Sequence, residues 1–317
     1  MRKWLKPAIV SVASVACGST ALLAGWYWLN FGPPLPVSRS DYHIKGHFGS
    51  VQDWPVIPIH AVVLPDHRVM TYGTDQRGRQ GAELVYDVWN PAQGFGSDAH
   101  LILPNKVGTD LFCVGQVVLA QPDGKVLLAG GDARQRGERN WSSADINFFN
   151  PTSNALEHAP EKLVAARWYP AVLTLPNGDV IVAGGRTGKE LYSPDVDLYD
   201  LAKKTWRTVP KAASETAFGA TNWNYPRMWV DPRGDVALLH VSGDLFKLDA
   251  KNDWAISKVG RLTERWGHPY LPSVMYRPGK ILSLRYSHWL DIDLNGEKPV
   301  ATELPVTLSL RRSSRAG

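Results

Sequence analysis

One strand–turn–strand pattern recurs along this chain, and it limits the possible folds more than any other feature. Residues 166–186 give the clearest copy, ARWYPAVLTLPNGDVIVAGGR. Its two apolar runs, Ala171–Leu175 and Val180–Ala183, flank a Pro-Asn-Gly turn, which predicts a β-hairpin. The pair Gly184-Gly185 follows, and it suits a position where two backbones approach closely or where φ is positive.

The pattern occurs four more times, with a turn residue at a similar place in each copy. The other copies are residues 56–73, 112–132, 225–239 and 270–284, and the five turn residues are His67, Gly124, Gly178, Gly234 and Gly279. Successive turns are 57, 54, 56 and 45 residues apart. Four-stranded repeats of about 40–50 residues are typical of propeller blades, and the glycine pair favours the kelch type.

Each copy is followed by a segment that alternates apolar and polar residues and ends in turn formers. These segments are residues 83–91, 146–151, 196–206, 245–254 and 289–296. They predict the outer strands of each blade. We therefore expect an all-β, kelch-type β-propeller with about five blades over residues 46–302.

An uncharged, mostly apolar stretch precedes the repeats. Three basic residues within positions 1–6 are followed by 24 mostly apolar residues, 8–31, which is enough for a helix to cross a bilayer. Because the positive flank comes first, we expect residues 1–31 to be a cytoplasmic stub and a transmembrane signal anchor. Residues 32–45 then form a linker to a propeller on the periplasmic or extracellular side of the membrane. A cleaved signal peptide is the alternative.

The charge argues against a nucleic-acid partner, and the cysteine content argues against a disulfide. The net charge of +5 and the pI near 9.1 are mild, and the sequence has no long run of Lys and Arg, so we expect no nucleic-acid partner. The two cysteines are Cys17, in the apolar stretch, and Cys113. A disulfide within the exported part is therefore not expected. A single cysteine is most often a small buried apolar residue.

Cys113 and Tyr169 occupy the same position in consecutive repeats, just before the first strand of each. Equivalent positions of adjacent blades lie side by side around a propeller axis, so we expect the two side chains to be neighbours at one mouth of the channel. The alternative is that Tyr169 only fills the mouth as an aromatic ring, with Cys113 packed beside it.

The two motifs, DLFCVG at 110–115 and ARWYP at 166–170, resemble those of the copper radical oxidases. Galactose oxidase and, more closely, the glyoxal oxidase-like branch are the members in question. The resemblance implies a thioether bond between Cys113 and Tyr169, with copper as the cofactor and Tyr169 as radical site and copper ligand. It also implies that a primary alcohol or an aldehyde is oxidised by oxygen, which gives hydrogen peroxide. The repeats resemble the family over about residues 46–296.

The resemblance is incomplete in the copper ligands. The family adds a Tyr-His pair from a later blade and a second histidine from a C-terminal domain, and copper(II) prefers tetragonal nitrogen and oxygen ligation. Tyr42-His43 is the only adjacent Tyr-His pair, and it precedes the repeats. Four histidines within the repeats fall in separate units and are predicted to be structural: His60, His240, His268 and His288.

From these departures we expect a C-terminally truncated and inactive copy, with about five of the family's seven blades and an irregular tail at 303–317. The alternative function is a membrane-tethered kelch module that binds a carbohydrate or a protein.

Overall fold

The structure, a computed structural model, describes residues 44, 46–81, 84–135, 138–188 and 191–307. The chain divides into two compact units, 1–52 and 53–317, and all the strands named below belong to the second. A helix long and apolar enough to cross a membrane is not found among the described residues. The span expected at residues 8–31 lies outside them, as does the linker apart from residue 44.

The described residues of the second unit form five antiparallel sheets, numbered I to V in chain order. Sheet I contains β1 (His60–Val63), β2 (Val69–Tyr72), β3 (Val85–Trp89) and β4 (His100–Pro104). Sheet II contains β5 (Gly115–Val118), β6 (Val126–Ala129), β7 (Asp132–Gln135), β8 (Glu138–Asn150) and β9 (Ala155–Arg167). Sheet III contains β10 (Ala171–Thr174), β11 (Val180–Ala183), β12 (Val196–Asp200) and β13 (Thr205–Thr208). Sheet IV contains β14 (Arg227–Val230), β15 (Val236–Leu239), β16 (Asp244–Asp249) and β17 (Ala255–Arg261). Sheet V contains β18 (Ser273–Arg277), β19 (Lys280–Arg285), β20 (His288–Asp293) and β21 (Val300–Thr307).

Four of the sheets are simple meanders, whereas sheet II has the order β5-β6-β8-β7 with β9 added to β8. Helix is rare among the described residues. It consists of short 3-10 turns, one α-helical turn, α1 (Glu215–Phe218), and a single helical residue at position 44. The all-β prediction is confirmed. The segments expected to be outer strands form the third strand of each sheet, and the fourth strands were not predicted individually.

The turn predicted in each repeat is present. The five turn residues all have positive φ: His67 (69°), Gly124 (54°), Gly178 (89°), Gly234 (88°) and Gly279 (70°). At the first four, the backbone N–H donates to the carbonyl three residues earlier, at 2.9–3.0 Å. The glycine pair also behaves as predicted, since a Cβ on Gly184 (φ 68°) would lie 2.5 Å from the Pro226 ring.

The end of the described chain differs from the prediction. The prediction of an irregular tail at 303–317 is wrong for residues 303–307, because β21 continues to Thr307 as the outermost strand of sheet V. Pro305 lies within this strand. Proline lacks a backbone N–H and therefore argues against a strand in the sequence, but it is tolerated at a sheet edge, where no further strand needs a donor at that position.

Apolar clusters hold neighbouring sheets together. One cluster joins each successive pair: sheets I and II around Met70 and Phe149, II and III around Leu127 and Val182, III and IV around Ile181 and Leu238, and IV and V around Leu245 and Ile292. The first strands of all five sheets begin at one shared cavity of about 550 Å³. This arrangement brings residues from five distant parts of the sequence to a single site.

Candidate functional site

The shared cavity is lined by residues at the start of each first strand. The wall includes His60, Cys113, Gln116, Tyr169, Tyr225, Arg227, Tyr270 and Ser273, with apolar residues between them. Arg227 gives this wall a positive charge, and the residues that line the cavity include no Asp or Glu. The cavity is therefore mostly neutral, with several hydroxyl groups, one thiol and one imidazole.

Three sheets place a residue in the left-handed backbone region two positions before the first strand. These residues are Cys113 (φ 63°), Tyr169 (φ 63°) and Tyr225 (φ 43°). Positive φ is uncommon for residues with a side chain and costs on the order of 1–3 kcal/mol, so the surroundings must enforce it. Backbone hydrogen bonds do so: Tyr169 N–H donates to the Cys113 carbonyl at 3.0 Å, and Tyr225 N–H donates to the Tyr169 carbonyl at 2.9 Å.

The side chains of Cys113 and Tyr169 both line the cavity and lie close enough for each to affect the pKa of the other. Besides the effect of burial, the Tyr169 hydroxyl lowers the pKa of the Cys113 thiol, and the thiol raises the pKa of the Tyr169 hydroxyl. Cys113 is 1% exposed. Burial raises the pKa of both groups well above their usual values, and the nearby carboxylates of Asp132 and Asp110 raise the pKa of the thiol further. Both groups are therefore neutral at pH 7. The structure brings together the two residues that the sequence analysis expected to be neighbours.

His60 lies beside this pair. The Cys113 N–H donates to Nε2 of His60 at 3.0 Å, so a neutral imidazole carries its proton on Nδ1. Burial lowers the pKa of His60 to about 4, which keeps the ring neutral at pH 7. Its ring stacks on Tyr72, whose hydroxyl donates to Gln116 Oε1 at 2.5 Å. The sequence pattern predicted only a structural role for His60, and its position next to Cys113 was not predicted.

Aromatic rings surround Tyr169. Its ring centroid is 4.4 Å from Trp168, 5.0 Å from Tyr225 and 5.9 Å from Trp223. The Arg186 guanidinium lies 4.3 Å above the Trp168 ring and 5.8 Å from the Trp223 ring, and its charge lowers the pKa of Tyr169 in part. Trp223 and Tyr225 were not singled out in the sequence. The signal was present, because Tyr225-Pro226 repeats Tyr169-Pro170 at the same point of the next unit.

A buried ion pair fixes the segment that carries Tyr169. The side chain of Arg167 is completely buried, and its Nη2 contacts Asp197 Oδ2 at 2.8 Å. Nη1 also donates to the Gly184 carbonyl at 2.6 Å, and Nη2 to the Asp195 carbonyl at 3.0 Å. These bonds tie the end of β9 to sheet III just before Tyr169, so Arg167 acts as a positioning residue.

The other described histidines do not join Tyr169 to form a metal site. His240 is buried and contacts Ser242 and Thr221, and His288 pairs with Glu303. His268 is exposed and lies 4.9 Å from Tyr270, ring to ring. Tyr42-His43 lies outside the described residues.

Copper needs more ligands than the described cavity wall offers. Tyr169 supplies one oxygen, and the Nε2 of His60 is already occupied by the Cys113 N–H. Within the described ranges, a group of three or more His, Cys, Asp or Glu residues placed to hold a metal is not found. The residues present therefore do not fit a complete tetragonal copper site.

Comparison with known proteins confirms the resemblance expected from the sequence. A Kelch motif model matches residues 167–212. Galactose oxidase of Gibberella zeae is 23% identical over 172 residues, which is 53% of this chain and 23% of that protein. A WSC domain-containing protein of Arthroderma benhamiae is 34% identical over 87 residues, 26% of this chain and 9% of that protein. The chain thus matches about a quarter or less of the length of these relatives.

Two solved structures share the fold. A fungal alcohol oxidase of the AA5 family, in complex with copper, gives a TM-score of 0.66 at 18% identity, covering 82% of this chain and 56% of that one. The structure of YjhT gives a TM-score of 0.54 at 11% identity, covering 76% of this chain and 82% of that one. The chain is therefore similar to galactose oxidase-like kelch proteins, with the all-β fold of a propeller-like oxidase.

Proposed function

We propose that this chain is an oxidase-like kelch propeller that carries the Cys113–Tyr169 half of a copper radical site and does not by itself oxidise an alcohol or an aldehyde. The proximity of Cys113 and Tyr169 on the cavity wall carries the proposal: the Tyr169 N–H donates to the Cys113 carbonyl at 3.0 Å, and the two side chains affect each other's pKa. A cysteine and a tyrosine in this relation are the pair that the copper radical oxidases join, and both residues stand in motifs that resemble theirs. The similarity to galactose oxidase and to a copper-bound alcohol oxidase supports the same ancestry.

The proposed lack of turnover rests on the cavity. Tyr169 is a neutral phenol, because burial raises its pKa strongly. The Nε2 atom of His60 already accepts a hydrogen bond from a backbone N–H, and the lining residues of the cavity include no carboxylate. At the Cys113–Tyr169 pair itself, added copper meets one protonated phenol oxygen and one thiol. We expect weak binding of copper with poorly defined geometry.

Peroxide release tests the proposal. Purified full-length protein is loaded with copper under air and given methylglyoxal, glycolaldehyde or galactose in turn, and Tyr169→Phe serves as the matched control. We expect equal, background-level peroxide from both proteins. Substrate-dependent peroxide from the wild type that is lost in Tyr169→Phe would refute the proposal and show that other residues complete the site.

The aromatic rings clustered beside Tyr169 favour one further candidate function, the binding of a carbohydrate. Trp168 and Trp223 are half-buried and stacked with an interplanar angle of 16°. Tyr192 lies 5.7 Å from Trp223, and Tyr270 is 65% exposed. Aromatic faces that combine an apolar surface with nearby polar groups suit the apolar face of a sugar ring.

Tryptophan fluorescence tests this candidate. We expect galactose or an oligosaccharide to change the emission of the wild type in a saturable way and not that of Trp223→Ala. Trp206→Phe, which alters a tryptophan on β13 away from the cavity wall, is the control. An unchanged response of Trp223→Ala would remove the candidate.

We also propose that residues 8–31 anchor the protein in a membrane, with the propeller on the outer side. The support is the uncharged apolar span after a basic flank. Reporters fused at residue 45 should be active only when they need a periplasmic or extracellular environment. A soluble, processed product in the culture medium would contradict the anchor.

A further inference from the structure

A second, smaller cavity lies between sheets IV and V and has two arginines on its wall. Arg227 is the first residue of β14 and Arg285 the last of β19, and Asn222, Asn224 and Ser273 complete much of the polar lining. Its free volume of about 10 Å³ is room for roughly one water-sized sphere. The lining contains no Asp or Glu.

Both guanidinium groups are held by carbonyl oxygens and by no carboxylate within the described ranges. Arg227 Nη2 donates to the carbonyls of Pro269 at 2.6 Å and Leu271 at 3.2 Å. Arg285 Nη2 donates to the carbonyls of His240 at 3.1 Å and Val241 at 2.5 Å, and its Nε to that of Arg265. The carbonyls therefore fix the position of each group but leave its full charge uncompensated.

Donors remain unused in this arrangement. Arg227 Nε is buried without a hydrogen-bond partner. Neither Nη1 of Arg227 nor Nη1 of Arg285 makes a hydrogen bond to the described part of the chain. The Asn224 side chain has a buried oxygen without a partner, and a half-turn of the amide would present its NH₂ group there to an anion. The site is therefore rich in donors.

A buried charge without a counter-ion is costly. Burial lowers the pKa of Arg285 to about 10 and lowers that of Arg227 below its usual value. The contrast within this chain is Arg167, which is fully buried but paired with Asp197. At the small cavity, the buried Arg285 and the partly buried Arg227 line one space, and the lining contributes no carboxylate to balance them.

We propose that this cavity binds a monovalent inorganic anion, chloride being the occupant, between the guanidinium groups of Arg227 and Arg285. The small volume favours a single-atom anion over phosphate and organic carboxylates, and a water molecule is the competing occupant. Because Arg227 belongs to sheet IV and Arg285 to sheet V, the bound ion links the two sheets. Tyr225 lines both this cavity and the larger one, so the ion is separated from Tyr169 by a single side chain.

Chloride-35 NMR of the full-length protein tests the proposal. Chloride is titrated at constant ionic strength with gluconate as the balancing anion. We expect a saturable excess line width that bromide displaces, together with a melting temperature that rises with chloride. The double variant Arg227→Gln/Arg285→Gln should lose both effects. Arg207→Gln, which alters an exposed arginine paired with Asp253, should keep both.

Circular dichroism first establishes that each variant is folded. If the double variant does not fold, Arg227→Lys is used in its place, because it keeps the charge but loses the fork of donors. We expect it to bind chloride at least about tenfold more weakly. No saturable broadening in the wild type, or equal broadening in a folded variant of either kind, would overturn the proposal and leave a water molecule as the occupant.

Discussion

Replacing Arg167 by methionine should destabilise the fold more than almost any other single change near the site. The arginine is completely buried and gives Asp197 its only charged partner among the described residues. The substitution leaves the carboxylate of Asp197 buried, with the backbone N–H of Val164 as a remaining donor at 2.9 Å. Removing one member of a buried pair costs about 3–5 kcal/mol of unfolding free energy, because a charge is left without compensation.

The loss should depend on pH in a defined direction. Burial already raises the pKa of Asp197 in the presence of Arg167, and without the arginine the pKa rises further. The folded variant then binds a proton more tightly than the unfolded chain does, so its stability falls as pH rises through the raised pKa. We therefore expect the deficit of Arg167→Met to be largest at pH 7 and smaller near pH 4.

Urea unfolding followed by tryptophan fluorescence measures the deficit at both pH values. Arg207→Met is the control, because the Arg207–Asp253 pair is nearly half exposed on both sides and should contribute less than about 1 kcal/mol. The double variant Arg167→Met/Asp197→Leu should recover part of the loss. A deficit for Arg167→Met no larger than that of the control, or one that does not shrink at low pH, would refute the reasoning.

Three further predictions concern the cavity wall and the turns beside it. In a Cys17→Ser variant, the thiol of Cys113 should react with a disulfide reagent only after the protein is unfolded, because Cys113 is 1% exposed and burial raises the pKa of its thiol. Rapid labelling of the native protein would contradict this prediction. Burial lowers the pKa of His60 to about 4, so the free energy of unfolding should fall by up to about 3 kcal/mol as pH drops from 6.5 towards 4. His60→Gln should make stability less dependent on pH in this range, and an unchanged pH dependence in the variant would argue against the prediction. Gly130→Ala should lower the free energy of unfolding in urea more than Gly234→Ala does. Both residues have positive φ, but a Cβ on Gly130 would overlap the Arg167 carbonyl, whereas a Cβ on Gly234 would have its nearest neighbour at 4.0 Å. Equal losses in the two variants would contradict this prediction.

Features that follow from the repeat were predictable from the sequence. Each turn position has positive φ as expected, and Cys113 and Tyr169 are neighbours because they hold equivalent places in consecutive units. Applying the same rule once more would have added Tyr225. Local pattern and equivalence within the repeat are enough for inferences of this kind.

Features that depend on long-range packing were not predictable. His60 reaches the Cys113 N–H from sheet I, and its sequence surroundings give no sign of this contact. Arg227 and Arg285 face one cavity from different sheets, and each appears in the sequence as an ordinary basic residue. The strand through Pro305 was missed because its position at a sheet edge, which makes proline tolerable, is a property of the assembled sheet.

The mass of two tryptic peptides tests the proposed half-site most directly. After exposure to copper and air, the protein is digested, and peptides 107–125 and 168–186, which carry Cys113 and Tyr169, are weighed. Since the described wall does not complete a copper site, we predict two separate peptides of unmodified mass. A linked pair lighter by two hydrogens, absent in Tyr169→Phe, would contradict this and show that copper is held well enough to form the thioether bond.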